Sequence, residues 1–324
     1  MDVEKAMHPA FISPVTGKEL RQLDMDYTTA DGSEKYECVN GVVRFVPQSN
    51  YADAFGLQWN RYSKTQLDSY TGTSITEDRL AKSLDIPLSD LEGKLVLEAG
   101  SGAGRFTEVL LKYGARVFTF DLSDAIEANF RNNSGKGDVT FFQADIEKIP
   151  FPAKSFDYVI CLGVVQHTPS TERSIKSLYE FIRPGGTLVF DHYKRSPGQF
   201  TSLYLVYWHV IKRLPVATQL KVTEALTRFF FPIHWRFRDN PFVQMLLRRI
   251  SPINFYYGRF NLPSKEVHFE WSQLDTHDRN TDYYKRNLTR TQMETILKSL
   301  GIENYDLRVG GTGYLCRAER QSES

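Results

Sequence analysis

The stretch LVLEAGSGAGRFTEVLLKYGARVFTFDLS, from Leu95 to Ser123, limits the fold more than any other part of the chain. KLVLEAG is a short apolar run entered from Gly93 and left at Gly100, the pattern of a strand buried on both faces. RFTEVLLKYG puts Phe106, Val109, Leu110 and Tyr113 on one helical face, and Gly114 suits a left-handed C-cap. ARVFTFD is apolar again and ends in an acid. VTFFQAD, SFDYVICLG and GTLVFDH continue the rhythm, with helices expected over 123–132 and 172–181, the second stopped by Pro184-Gly185-Gly186. This alternation predicts an α/β fold with a doubly wound, mostly parallel sheet. TRTQMETILKSLGIENYDLRVGGTGYLCRAER adds a helix and two strands, giving seven strands of Rossmann-like type. Ligands of such sheets sit beyond the carboxyl ends of the strands.

Around this core the chain divides by composition. Residues 1–48 are rich in turns and short strands and read as a small β-rich N-terminal module. Residues 49–92 read as a helical lead-in, with helical spacing over 73–84. The core takes 93–193 and 271–320. Between them, 194–270 breaks the rhythm as a helical, basic and aromatic insertion before the last strands.

The 324 residues, 41% hydrophobic and 24% charged, are enough for one large core, and a formal net charge of +1 argues against global attraction to nucleic acid. MDVEKAMHPAF carries acids and no apolar run, so no secretory signal is expected. FTSLYLVYWHVI, Phe200 to Ile211, is too short to span a bilayer, which takes roughly 20 residues. Cys38, Cys161 and Cys316 lie far apart, without metal-ligand spacing. They read as reduced thiols of a cytoplasmic protein.

Three strand ends carry chemistry. Gly100, Gly102 and Gly104 allow a sharp turn and a close ligand approach. Asp121 follows Gly100 by 21 residues, the distance at which this fold sets an acid against ribose hydroxyls. Asp145 ends the third strand, where a carboxylate can accept from an adenine amine. A dinucleotide fingerprint would need glycine at 105, where this chain has arginine. Glu98 before the turn would oppose a pyrophosphate and suit an ammonium group. An amino-acid-bearing nucleoside fits these residues better.

In order, VLEAGSGAGRFT, VFTFDLS, QADIEKIPF, FDYVICLGVVQHTP and FIRPGGTLVF resemble the successive motifs of class I S-adenosylmethionine-dependent methyltransferases. The resemblance is to the broad group holding ubiquinone and menaquinone methyltransferases, and it covers about residues 91–191. It implies that Glu98 and the glycines Gly100, Gly102 and Gly104 hold the methionine part. By the same resemblance Asp121 with Leu122 takes the ribose, Asp145 with Ile146 the adenine, and Leu162 and Gly163 flank the sulfonium.

The acceptor is less determined. His167 in VVQHTP is placed to act as a general base or, equally, to cap the following turn. His192 and Tyr193 in DHYK are further candidates for substrate contact. LDTHDRNTDYYKR, Leu274 to Arg286, reads as a polar loop over the substrate mouth. His277 with Asp275 and Asp278 imitates metal spacing, but no metal is expected. Between Phe200 and Phe260 nine Lys or Arg stand against Glu224 and Asp239, with fourteen aromatics. Leu203, Val206, Tyr207, Val210 and Ile211 share a helical face. The insertion therefore reads as a lid burying that face, with a dimer interface or peripheral membrane contact through 200–260 as alternatives. An apolar, aromatic, lipid-linked or sugar-type small molecule is the expected acceptor. The rivals are a catalytically silent cofactor-binding partner subunit and an RNA methyltransferase. The latter is disfavoured because LGVVQH stands where many base-modifying enzymes carry an Asn-Pro-Pro-Tyr-type motif.

The N-terminal ISPVTGKELRQ…YECVNGVVRFVP faintly resembles the zinc-ribbon-like modules that precede some methyltransferase domains. Ser13 and Thr16 stand where a first cysteine pair would be, and Cys38 alone remains of a second. Such a module would be held by packing alone. FGLQWNRYSKTQLDSYTG, Phe55 to Gly72, reads as a helix closing over the cofactor through Gln58, Trp59 and Tyr62, or as ordinary core.

Overall fold

The computed structural model describes residues 9–47, 50–196, 202–310 and 313–322. The amino-terminal stretch Met1–His8, the Gln48/Ser49 boundary, and Phe200 and Thr201 at the start of the apolar run lie outside these residues.

The core strands β6 (Leu95–Ala99), β7 (Arg116–Asp121), β8 (Val139–Gln143), β9 (Phe156–Cys161) and β10 (Ile182–Tyr193) run parallel; β12 (Gly313–Glu319) enters antiparallel between β10 and β11 (Tyr305–Gly310). These seven make the expected sheet. Two more strands extend it beyond β8, where β5 (Val42–Arg44) pairs in parallel and β4 (Cys38–Val39) closes the edge. The order is β11-β12-β10-β9-β6-β7-β8-β5-β4. The N-terminal segment thus caps an edge that would otherwise offer unpaired backbone groups.

The strands β1 (Leu20–Leu23), β2 (Asp26–Thr29) and β3 (Lys35–Tyr36) form a separate small sheet. Its loops are tied by a carboxylate, so packing is not their only support. Glu34 accepts from Ser13 and, at 2.5 and 2.7 Å, from Thr16 and the Tyr36 hydroxyl. Phe11 enters the main core and stacks on Phe151 at 4.8 Å.

Helices cover both faces of the main sheet. On one side α3 (Ile75–Leu84) and α4 (Arg105–Lys112) bury Leu80, Leu84, Phe106, Val109 and Leu110 against Val96, Val117 and Ile160, together with the 3-10 turn Leu88–Leu91. Gly114 takes a φ of +72°, as a left-handed cap requires. On the other side Phe118, Phe142, Phe151, Phe156 and Phe190 fill the core with Leu178 of α6 (Thr171–Glu180) and Leu297 of α11 (Arg290–Ser299). α5 (Ala125–Asn133) follows β7. The lead-in forms α1 (Asp53–Arg61) and α2 (Asp68–Thr71), where one helix over Phe55 to Gly72 was expected.

The insertion is helical: α7 (Tyr204–Ile211), α8 (Val216–Arg236) and α9 (Pro241–Ile250) lead into α10 (Lys265–Thr281). Most of the expected polar loop at Leu274 to Arg286 is therefore the last two turns of α10. Phe231 of α8, Ile253 and Phe255 form a small core of their own. Among the described residues no helix is long and apolar enough to cross a membrane.

Candidate active site

The glycine turn is held from three directions. Gly100, Gly102 and Gly104 have φ of +73°, +56° and +86°, a region that side chains disfavour. A Cβ on Gly100 would collide with Val164, and one on Gly104 with Asn129 and Asn133; on Gly102 it would lie 3.0 Å from Trp59. The asparagines brace the turn as well as crowd it. Asn133 donates to the Gly104 carbonyl and to Asn129 Oδ1, both at 2.8 Å, and Asn129 donates to Thr107 at 2.8 Å. Neither asparagine stood out in the sequence, because a buried polar pair on α5 has no motif of its own.

A cleft of about 1880 Å³ opens above this turn. Gly100, Gly102, Asp121, Leu122, Ile146, Leu162 and Gly163 line it, as do His167 and Tyr193. Asp121 accepts from the Gly102 amide at 3.0 Å and from the Ser123 amide and hydroxyl at 2.9 and 2.7 Å. The Leu122 amide adds to these donors, and Asp121 itself lines the cleft. A Cβ on Gly163 would meet nothing within 4 Å, which leaves open space beside β9.

Four expected residues stand apart from the cleft wall; one is Gly104, which sits at the start of α4 with its carbonyl accepting from Asn133. Glu98 is buried behind the turn, where its Oε2 accepts from Thr107 and Thr119 at 2.5 and 2.9 Å and its Oε1 has no side-chain partner among the described residues. His192 points through the other face of the sheet to Thr171, at 3.1 Å. Successive side chains of a strand alternate, so Asp191 and Tyr193 share the cleft face and His192 cannot. Burial pushes the His192 imidazole down to about 4, which fits a neutral ring hydrogen-bonded on both sides. Asp145 accepts from the Glu147 amide at 2.9 Å and lies outside the lining, between Ala144 and Ile146, which belong to it. The imitation of a metal site dissolves for a helical reason: Asp275 and Asp278 face the cleft, whereas His277 turns to α8 and pairs with Thr223 at 2.9 Å. In the lead-in, Trp59 lines the cleft; Gln58 is fully buried, and the Tyr62 hydroxyl donates to Glu224 at 2.9 Å.

The charges that do line the cleft come from elsewhere. Asp191 accepts from the Gly163 amide at 2.6 Å and from Arg79 at 2.7 Å. Arg105 donates to Gln66 at 2.6 Å, and Gln66 donates to Asp275 at 3.2 Å. Burial, reinforced by Arg79, pushes the Arg105 guanidinium down to about 9, and burial pushes the Asp275 carboxyl up to about 6. Two carboxylates, Asp191 and Asp275, and two guanidiniums, Arg79 and Arg105, thus line the cleft, charges of both signs such as a zwitterionic amino-acid group needs.

His167 closes the far side. Its Nδ1 lies 3.3 Å from both Asp282 Oδ2 and the Tyr284 carbonyl, and its ring meets Phe55 and Tyr193 edge-on at 5.4 and 5.3 Å. Burial favours a neutral Asp282, but Lys285, at 2.8 Å, and His167 hold its carboxyl below the usual value. The neighbouring Asp278 carboxyl is raised by burial, with His167 opposing.

Residues 97–190 match the family model described as a methyltransferase domain. That segment is similar to methyltransferase domains. Over 130 residues the chain is 31% identical to a ubiquinone biosynthesis O-methyltransferase of Coxiella burnetii, covering 40% of this chain and 56% of that protein. A tRNA U34 carboxymethyltransferase of Nautilia profundicola is 34% identical over 108 residues, 32% of this chain and 36% of that one. The chain spans about half the length, or less, of these curated relatives. Among solved structures, magnesium protoporphyrin IX methyltransferase from Synechocystis, with bound S-adenosylhomocysteine, is 16% identical with a TM-score of 0.45, covering 84% of this chain and 97% of that one. S-adenosylmethionine is the cofactor of such a domain, and the residues present fit it: an acid at the end of β7, an open strand end at Gly163 and charges of both signs lining the cleft.

Two outcomes follow. With Asp121 expected to take the ribose, calorimetry of Asp121→Ala should show S-adenosylhomocysteine affinity falling on the order of 30-fold or more, the loss of ~2 kcal/mol of charge-assisted hydrogen bonding. Burial pushes the Glu98 carboxyl from 4.5 up to about 7. A raised acid contributes stability at low pH that is lost as pH climbs through that window. Denaturant unfolding should show the chain weakening between about pH 4.5 and about pH 7, and Glu98→Gln weakening less.

Proposed function

We propose that the protein transfers the methyl group of S-adenosylmethionine to an oxygen of a small-molecule acceptor, with His167 as general base. The observation that carries the reading is the His167–Asp282 contact inside the cleft that also holds the glycine turn and Asp121. The sulfonium supplies an already activated methyl group, so the protein's work is alignment and proton removal. Asp282 and the Tyr284 carbonyl both accept, which sets the proton on Nδ1 and leaves Nε2 to take a proton from the acceptor. Lys285 keeps Asp282 ionised, and the ionised carboxylate stabilises the imidazolium that forms.

The acceptor half of the cleft is lined by Tyr204, Tyr256, Phe260 and Trp271 together with Asn254, Asp278 and Arg279. Aromatic walls with a few polar groups suit a ring-bearing acceptor of aromatic, lipid-linked or sugar type. The O-methyltransferase name of the Coxiella relative agrees with oxygen as the receiving atom. A silent partner subunit would have no use for a histidine oriented by a buried carboxylate.

Calorimetric titration with S-adenosylmethionine, S-adenosylhomocysteine and NAD should show binding of the first two alone; binding of NAD alone overturns the reading. With methyl-labelled cofactor and a total extract of cellular small molecules and lipids, label should enter an organic product. His167→Gln should cut that transfer by about a hundredfold or more while leaving S-adenosylhomocysteine affinity unchanged. Loss of both together would make His167 a binding residue only.

A further inference from the structure

The insertion does not bury the helical face expected of a lid. On α7, Tyr204 and Ile211 point inward, whereas Leu203, Val206 and Val210 stand between 48 and 64% exposed, as do Phe242, Met245, Leu246 and Ile250 on α9. Both sets recur at three- and four-residue steps, so each forms a stripe along its helix. The Leu203 amide donates to the Arg249 carbonyl at 2.8 Å, and Ser202 Oγ reaches the carbonyls of Arg248 and Arg249 at 3.3 Å. α7 therefore begins where α9 ends, and the stripes meet at Leu203 and Ile250. Single exposed apolar residues are ordinary; seven on two abutting helices mark a contact surface.

The charge around the stripes selects the occupant. Lys212 and Arg213 close α7, and Arg248 and Arg249 close α9. The only acids from Phe200 to Phe260 are Glu224, held by Arg61 and Arg228, and Asp239, 3.5 Å from Arg238. Pairing this face with itself in a two-fold dimer would set arginine against arginine. An apolar stripe flanked by cations instead suits the headgroup level of an anionic bilayer, where aliphatic side chains enter and cations meet phosphate. Ser202, Tyr204, Arg248 and Arg249 also line the cleft, so its mouth opens beside the same stripes.

We propose that the α7–α9 face docks on the surface of an anionic lipid bilayer. This docking is independent of the methyl-transfer reading, since it rests on a surface outside the turn and His167. The test is co-sedimentation of the full chain with vesicles of phosphatidylcholine alone or mixed with phosphatidylglycerol, at low and high salt. The chain should pellet with the mixed vesicles at low salt, and about tenfold less with phosphatidylcholine alone or at high salt. The double variant Val206→Ser, Phe242→Ser removes only exposed apolar groups, and its melting curve reports that it folds. It should lose about tenfold in vesicle affinity while S-adenosylhomocysteine binding is unchanged. Absence of binding to mixed vesicles at low salt overturns the proposal, as does equal binding by the double variant. A dimer that the double variant converts to monomer, without vesicle binding, would assign the face to a second copy instead.

Discussion

The rest of the site depends on how closely other chain segments approach the glycine turn. Gly100 leaves room only because Val164, from the segment after β9, fills the space a side chain would take. That contact sets Leu162 and Gly163 over the turn and carries His167, three residues on, to the cleft mouth. Gly104 gives the same room to Asn129 and Asn133, whose hydrogen bonds hold α5 against the start of α4. A side chain at either glycine would displace a strand end or a helix. The backbone freedom at those two positions is what brings the Asp121 floor, the Gly163 wall and the His167 rim within one cavity.

The second constraint is the charge taken into that cavity. Arg79, Arg105, Arg279 and Lys285 stand against Asp191, Asp275, Asp278 and Asp282, several of them largely removed from water. Each buried ion costs several kcal/mol, and only good pairing offsets this. The pairs here are close: Arg79 with Asp191 at 2.7 Å and Lys285 with Asp282 at 2.8 Å. Arg105 and Asp275 meet only through Gln66, and burial shifts both toward their neutral forms. Asp275 also accepts from Trp271 Nε1 at 3.1 Å, so its partners are neutral, and a ligand that brings a cation would add the missing charge. A molecule with both a carboxylate and an ammonium offers one to each sign.

Legibility in the sequence followed the local or distant origin of each feature. The alternation of apolar runs with helical faces gave the seven-strand sheet, because strand and helix periods are local properties. The edge strands β4 and β5 have only two and three residues and are stabilised by pairing with β8, which no local pattern announces. At the site, residues that end core strands were readable: Asp121, Leu162, Gly163 and Tyr193 all reach the cleft. The glutamate before the turn was misread, since its direction depends on Thr107 and Thr119, contributed by α4 and β7. His192 was misread for a simpler reason, the two-residue period of a strand, which places it opposite Asp191 and Tyr193. Asp278 lay in a stretch taken for a loop and its direction became visible only with α10; Asp282 and Lys285 follow the end of that helix, and their pairing is not a local pattern.

The insertion joins the two ends of this account. α8 holds α10 through Thr223 and His277, deep inside, and α10 turns Asp275 and Asp278 toward the cleft. On the opposite, outer side α7 and α9 present the apolar stripes. Tyr204 belongs to both: it is buried under α7, its hydroxyl donates to the Arg279 carbonyl at 3.3 Å, and Arg279 stacks on its ring at 4.1 Å. One packed side chain thus joins α7 to the helix that carries the acidic wall.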